Sequence, residues 1–347
     1  EARRMSRFSQ FALAGSFQAL QDAGLESGIG EEIGVVMGTG IGGSLNETVE
    51  AHRCLEEKGV RAVSPFYITA MLPNMASFQV SLAFGLKGPS STVVTACAAG
   101  SQAIGQAFSL IRWGEAATML AGGTEASLGP VGVAGFCAMR ALSTRNDDPT
   151  GASRPFDRER DGFVVAEGCG VLVLEELEHA QERGARIYGE VLGYGVAGDA
   201  YHLSAPDPQG KGAARAMERA LAQAKLSPEE VDYINAHATS TKLGDAAETL
   251  AVKRAFGEGA YRIPISATKS MTGHLLGASG AVEAIACLLT LRDQVVHPTI
   301  NYQTPDAECD LDYVPNEARP HPVEVALSNS FAFGGVNASL VFGRFRG

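Results

Sequence analysis

The sequence predicts an α/β protein built from two copies of one strand-and-helix unit. Three observations predict it. Short apolar runs bounded by glycine or a turn alternate with amphipathic helical segments, the second half repeats the order of the first, and many of the 41 glycines sit beside the apolar runs. Glycine so placed serves tight turns and close backbone packing rather than a linker. Alternation of this kind places helices over a largely parallel sheet.

The strands are read in order at "IGVVMG" (33–38), "STVVTA" (91–96), "ATMLAGG" (117–123) and "GVLVLEEL" (170–177), each a short, continuous apolar run. Between them, 101–113 reads as a helix, with Ile104, Phe108 and Ile111 on one face. In the second half, "VDYINAHATST" (231–241) parallels "EIGVVMGTGIG" (32–42), and "LGASGAVEAIACLLTLRD" (276–293) parallels "ACAAGSQAIGQAFSLIRWGE" (96–115). Two domains follow, 1–184 and 185–347. A strand within "ARIYGEVLGYG" opens the second and has no counterpart in the first. The chain starts without Met and already in a helical pattern, so an opening segment is expected ahead of Glu1.

With 347 residues, 45% hydrophobic and 19% charged, the chain can bury a large core. Its formal net charge of -11 argues against nucleic acid or anionic lipid as general partners, because phosphate binding needs clustered Lys and Arg. A local basic patch for an acidic partner stays open. Six cysteines, at 54, 97, 137, 169, 287 and 309, show no CxxC pair or metal-like spacing, which predicts a reducing cytoplasm and no disulfides. No apolar stretch approaches the roughly 20 residues of a membrane span.

"GTGIGG" (38–43) matches the dinucleotide fingerprint, but the second strand ending in an acidic residue that a ribose would need is missing. "HRCLEEKGVRAVSP" stands there with a helix-like charge pattern. Cys97 is the sharper signal. It lies where a strand gives way to a helix, among Ala96, Ala98, Ala99 and Gly100, so backbone and substrate can approach closely. A helix N-terminus lowers a thiol pKa and makes a nucleophile. The competing reading is a packed core cysteine. His237, after "VDYINA", and His274, in "TKSMTGHLLGASG", tip the balance toward catalysis. Each falls at or beyond the C-terminal edge of a predicted strand, where open α/β sheets gather their sites. Lys269 and Glu283 add an ion pair, because "AVEAIACLLTL" is apolar except for that carboxylate. Whether the pair is structural or catalytic is open at this point.

Through "TACAAGS", "RALSTRNDDPTGASRPFDRERDGFV", "NAHATSTKLGD", "TKSMTGHLLGASGAVEAI", "LRDQVVHPTINYQTPD" and "NSFAFGGVNASL", the chain resembles the elongating β-ketoacyl-acyl-carrier-protein synthases of the thiolase superfamily. The resemblance runs from Met5 to Phe345. It implies a thiolase-like α/β fold of two βαβαβαββ halves in five αβαβα layers, a homodimer, and acyl carrier protein as partner, with no cofactor and no metal. The family's opening strand and helix, with a VTG-type motif, have no match here. By the same resemblance Cys97 carries the acyl chain as a thioester, His237 and His274 face malonyl-carrier-protein, and Lys269 with Glu283 orients the site. The N–H groups of Cys97 and Phe333 form an oxyanion hole, Thr239 and Thr241 bind the pantetheine arm, and 331–337 forms a glycine-rich loop gated by Phe333. Arg3 and Arg4, and after them Arg112, dock the carrier protein. Asp157, Arg158, Asp161 and Glu167 anchor loops.

Ala238, Ala332 and Ala166 stand where the family pattern has glycine, which implies a stiffer gate. A degradative thiolase would carry a second cysteine in "SNSFAFGGVNAS", and an initiating synthase would carry Asn at 274; neither is present. A chain-length partner without catalysis would lack Cys97. An aromatic-type polyketide ketosynthase shares the Cys-His-His set and is the alternative reading.

Overall fold

The computed structural model describes residues 5–25, 30 and 32–347, which fall into two compact units. Unit 1 comprises the described residues up to Met139, together with Ala166–Arg186 and Leu275–Ala281. Unit 2 comprises Arg140–Val165, Ile187–His274 and Val282–Gly347.

Unit 1 contains β1 (Gly34–Gly38), β2 (Ser90–Val93), β3 (Thr118–Glu125) and β4 (Gly168–Glu175) in the order β2-β1-β3-β4. β1 runs parallel to β2 and β3, and β4 is antiparallel to β3. The "VVM" centre of β1 is wholly buried, as its unbroken apolar run demands. Phe8, Ala12 and Leu20 of the Arg7–Asp22 helix meet Val35, Met37 and Leu120 in the core. The Ala99–Arg112 helix packs against β1 so closely that a Cβ on Gly38 would sit 2.6 Å from the Gly100 nitrogen and nearer still to the Ala99 carbonyl.

Unit 2 contains β5 (Glu190–Gly198), β6 (Tyr233–Asn235), β7 (Ile265–Ser266), a small antiparallel pair β8 (Val295–Val296) and β9 (Arg319–Pro320), then β10 (Val325–Ala332) and β11 (Val336–Gly343). Its main sheet has the order β5-β11-β10-β6-β7, parallel from β7 to β10 and antiparallel across β11 and β5. The two sheets therefore share one plan: β1, β2, β3 and β4 correspond to β6, β7, β10 and β11, while β5 has no counterpart among the described residues of unit 1. Each sheet is parallel over three strands and then antiparallel.

The hairpin β10–β11 corrects the expectation of a loop over 331–337. Ala332 pairs with Val336 and Phe331 with Asn337, so only Phe333–Gly335 turn, with Gly334 at φ 80° and Gly335 at φ 69°. Of the three alanines that replace glycine, only Ala238 takes a positive φ, at 25°; Ala332 lies in β10.

Candidate active site

Unit 1 presents Cys97 on a one-turn 3-10 segment, Ala96–Ala98, immediately ahead of the Ala99–Arg112 helix. The thiol thus precedes the helix rather than belonging to it. Ala96 adopts φ 48°, a costly conformation for a residue with a Cβ, and Cys97 keeps 7% of its surface exposed.

The repeat recurs within the same unit. Leu276–Ala278 is again a 3-10 turn ahead of a helix, with Leu276 also at φ 48°, so Gly277 is the positional counterpart of Cys97. A Cβ on Gly277 would lie 2.6 Å from the Thr39 carbonyl carbon and closer to the Gly40 nitrogen. Glu125, buried at the end of β3, ties these loops together. Its carboxylate accepts from the backbone nitrogens of Gly40 (2.6 Å), Gly277 (3.1 Å) and Ile41 (3.3 Å) and from Thr39 Oγ1 (3.2 Å). Burial raises its pKa against the pull of those donors. The amides of "GTGIGG" that a pyrophosphate would occupy are filled by this carboxylate, which accounts for the failed fingerprint.

Unit 2 brings together four of the residues singled out from the sequence. His237 follows β6 and His274 follows the short Lys269–Thr272 helix; their rings meet edge to face, with centroids 5.4 Å apart and planes at 85°. Phe163 abuts His274 at 5.4 Å and Phe331 abuts His237 at 5.8 Å. The His274 backbone N–H donates to Val164 O at 2.7 Å. Lys269 and Glu283 form an ion pair, both essentially without solvent contact.

Lys269 also fixes a proton. Its ammonium group donates to His237 O at 2.6 Å and lies 3.4 Å from His237 Nδ1. An ammonium group has no acceptor to offer, so Nδ1 is the acceptor and the ring hydrogen sits on Nε2. Desolvation, with Lys269 adding to it, pushes both imidazoles well below their usual range, and for His237 the neighbouring His274 contributes as well. Both rings are neutral near pH 7. Burial raises the Glu283 carboxyl, and Lys269 opposes that rise.

Sequence reading missed the groups that shape this pocket. Glu248 accepts from the His237 and Ala238 backbone nitrogens at 2.9 and 2.7 Å, and burial lifts its pKa to about 7. Asp245 accepts from Phe156 N at 2.8 Å, and burial lifts it to about 6. Their spacing of three on the Lys242–Phe256 helix, facing the loop it follows, was the available signal. Ser153 Oγ donates to Lys269 O at 2.7 Å.

The remaining residues are placed as follows. Thr239 and Thr241 hydroxyls lie 3.1 Å apart, and Thr241 caps the helix by accepting from Gly244 N at 3.2 Å. Phe333 is half-buried in the hairpin turn, where Gly334 N donates to Leu203 O at 2.8 Å. Asp157 accepts from Gln303 N and Thr304 N, both at 2.6 Å; Asp161 holds Thr144; Glu167 pairs with Arg7 at 2.5 Å. Arg158 is exposed on Glu159. Arg112 stacks on Phe108, its guanidinium 5.4 Å from the ring centre. Arg3 and Arg4 lie outside the described residues.

A mixed α/β fold in two copies, one bearing a cysteine on a strained turn and the other a neutral histidine pair backed by a buried lysine, is that of a condensing acyltransferase. Residues 1–180 match the family described as "Beta-ketoacyl synthase, N-terminal domain" and 188–303 the "Beta-ketoacyl synthase, C-terminal domain". The chain belongs to the β-ketoacyl synthase family. It is 54% identical to the 3-oxoacyl-[acyl-carrier-protein] synthase 2 of Synechocystis sp., covering 100% of this chain and 83% of that protein. It is 53% identical to the synthase of the same name in Staphylococcus aureus, covering 99% and 83%. Among solved structures, a β-ketoacyl synthase from Burkholderia phymatum is 43% identical with a TM-score of 0.93, covering 99% of this chain and 84% of that one. The ketosynthase of a type II polyketide system, solved with its acyl carrier protein, is 40% identical with a TM-score of 0.93, covering 98% and 85%.

Proposed function

We propose that this protein extends fatty acyl chains by two carbons through decarboxylative condensation with malonyl-acyl-carrier-protein. Cys97 sulfur attacks the acyl thioester, forming a new C–S bond and releasing the carrier thiol. Malonyl-carrier-protein then loses carbon dioxide and leaves an enolate. The enolate carbon attacks the Cys97 thioester, a C–C bond forms, and the Cys97 thiolate departs. Nothing is oxidised or reduced, so the sequence of steps balances without metal or cofactor.

The observation that carries the reading is the Lys269 contact to His237 Nδ1, because it leaves Nε2–H as a donor for enolate oxygen. His274 is assigned the second donor. A neutral ring whose Nδ1 accepts carries its one hydrogen on Nε2 and donates there. The N–H groups of Cys97 and Phe333 are assigned to the tetrahedral oxyanion, at about 3 kcal/mol per donor. Thr239 and Thr241 are assigned to the pantetheine arm.

Acyl carrier protein is the proposed partner, supported by the polyketide ketosynthase solved with its own carrier. A second copy is proposed to pair along β2, the edge strand of its sheet, beside which Phe78, Leu82 and Val94 are exposed. Six free cysteines suit a reducing cytoplasm, and among the described residues no helix is long and apolar enough to cross a membrane. The polyketide alternative has the same catalytic set. The higher identity to the fatty-acid-type synthases, 54% against 40%, favours elongation.

Mass spectrometry after incubation with acyl-carrier-proteins of graded length tests the reading. One acyl group on the Cys97 peptide, absent in Cys97→Ala, and a single two-carbon extension on adding malonyl-carrier-protein are expected. Acylation on another peptide overturns the nucleophile, and repeated extension from malonyl units alone favours the polyketide alternative.

A further inference from the structure

The turn that carries Thr239 and Thr241 is held in an unfavourable backbone conformation, with Ala238 at φ 25° and Ser240 at φ 68°. Single residues of this kind persist only when their surroundings over-determine them. The segment 154–162 supplies that determination. Arg154 N donates to Ser240 Oγ and Gly162 N to Ser240 O, each at 3.0 Å.

Arg160 does most of the gripping. Its guanidinium is 1% exposed and forks across both chain segments. Nε donates to Thr241 O at 3.1 Å and Nη2 to Lys242 O at 3.0 Å, while Nη1 donates to Asp157 O at 2.8 Å and to Asp306 Oδ2 at 2.6 Å. Asp245 stands 3.6 Å from Nε and offsets the buried charge. Two of the three carbonyls it holds belong to the second threonine and to the first residue of the Lys242–Phe256 helix, so the fork sets the direction in which the turn enters that helix. A lysine, with one point of charge, cannot hold both carbonyls and the carboxylate in one plane. Asp306 is the outer member of the clamp, its side chain 15% exposed.

We propose that Arg160, anchored by Asp306, is a positioning residue that holds the Thr239–Thr241 turn in the shape that receives the amides of the substrate's pantetheine arm. This rests on the condensing function and on the threonine assignment above. It predicts a penalty confined to substrates that possess the arm.

The test compares Arg160→Lys and Asp306→Asn with the unaltered protein on two acyl donors, an acyl-pantetheine thioester and an acyl ethanethiol thioester that lacks the arm. Acylation of Cys97 is followed by mass spectrometry. The expected result is a KM for the pantetheine donor raised about tenfold with kcat within about threefold, and no change with the armless donor. Asp306→Asn, at the rim, shows the same pattern more weakly and keeps the test decisive if Arg160→Lys does not fold. Equal losses on both donors would show that the clamp merely stabilises the fold, and no loss on either would remove it from substrate binding; both overturn the proposal. Failure of the unaltered protein to acylate Cys97 from either donor overturns the condensing function instead.

Discussion

Replacing Lys269 tests whether the buried ion pair is only structural. The Lys269 and Glu283 side chains are 1% and 2% exposed, so Lys269→Met leaves a carboxylate with neither partner nor water. Breaking a buried pair from one side costs about 3–5 kcal/mol. Glu283 escapes part of that cost by taking a proton. Burial already sets its folded pKa above the unfolded value, and loss of Lys269 raises it further. A carboxyl raised on folding contributes stability that is fully present below its unfolded pKa and is lost as pH rises through the folded one. The Lys269→Met penalty is therefore larger at pH 8 than at pH 5 in denaturant titrations. Adding Glu283→Leu removes the stranded charge and returns stability to the starting value or about 1–4 kcal/mol above it. Carbon dioxide release from malonyl-carrier-protein separates the roles. The double variant regains its fold but not the donor to His237 Nδ1, so release stays about 100-fold down. Recovery of decarboxylation together with stability would refute the argument and leave Lys269 as scaffold.

Three further outcomes are expected. His274→Ala keeps acyl transfer to Cys97 but lowers carbon dioxide release about 100- to 1,000-fold, and unchanged release removes it from the enolate. Because burial and Lys269 hold both imidazoles neutral, carbon dioxide release at saturating substrate stays flat from pH 7.5 to about 6. A decline centred on the ordinary imidazole value near 6.5 contradicts that electrostatic account. Gly277→Ala drives a Cβ into the Thr39–Gly40 backbone and costs about 1–3 kcal/mol in denaturant unfolding; a neutral result shows the two loops can separate freely.

What could be read from the chain depended on how strongly each residue departs from its neighbours. β1 and β3 were legible because glycine-bounded apolar runs contrast with polar flanks. The Lys269–Glu283 contact was legible because one carboxylate interrupts an otherwise apolar helix. β10 and β11 were not, because Ser328, Asn329, Ser330, Asn337 and Ser339 are all buried there and erase the hydrophobic signal of a central strand. Their polarity is satisfied inside the sheet, as where Ser339 Oγ donates to Asn329 Oδ1 at 2.7 Å. Glu125 and Arg160 were missed for a related reason. Each serves backbone groups of a segment distant in sequence, and no local pattern records a partner dozens of residues away.

The duplicated turn shows how one piece of backbone supports two different duties. Ala96 and Leu276 share φ 48°, and each opens a 3-10 turn leading into a long helix, so the strain belongs to the repeated geometry rather than to the sulfur. What differs is the space above the following residue. At Gly277 even a methyl group would strike the Thr39–Gly40 backbone, whereas at Cys97 a side chain fits with 7% of the residue left open. Only the first copy can present a reactive atom. The second copy instead gives its amide to Glu125, the carboxylate that also holds the Thr39–Ile41 loop. In unit 2 the loop after β6, the counterpart of that after β1, is gripped by Glu248, which comes from a helix rather than from the third strand. A carboxylate on paired loop amides is thus reached from two different elements. The requirement lies in the exposed amides of a strand-to-loop turn, and the sequence position of the acid is free to vary.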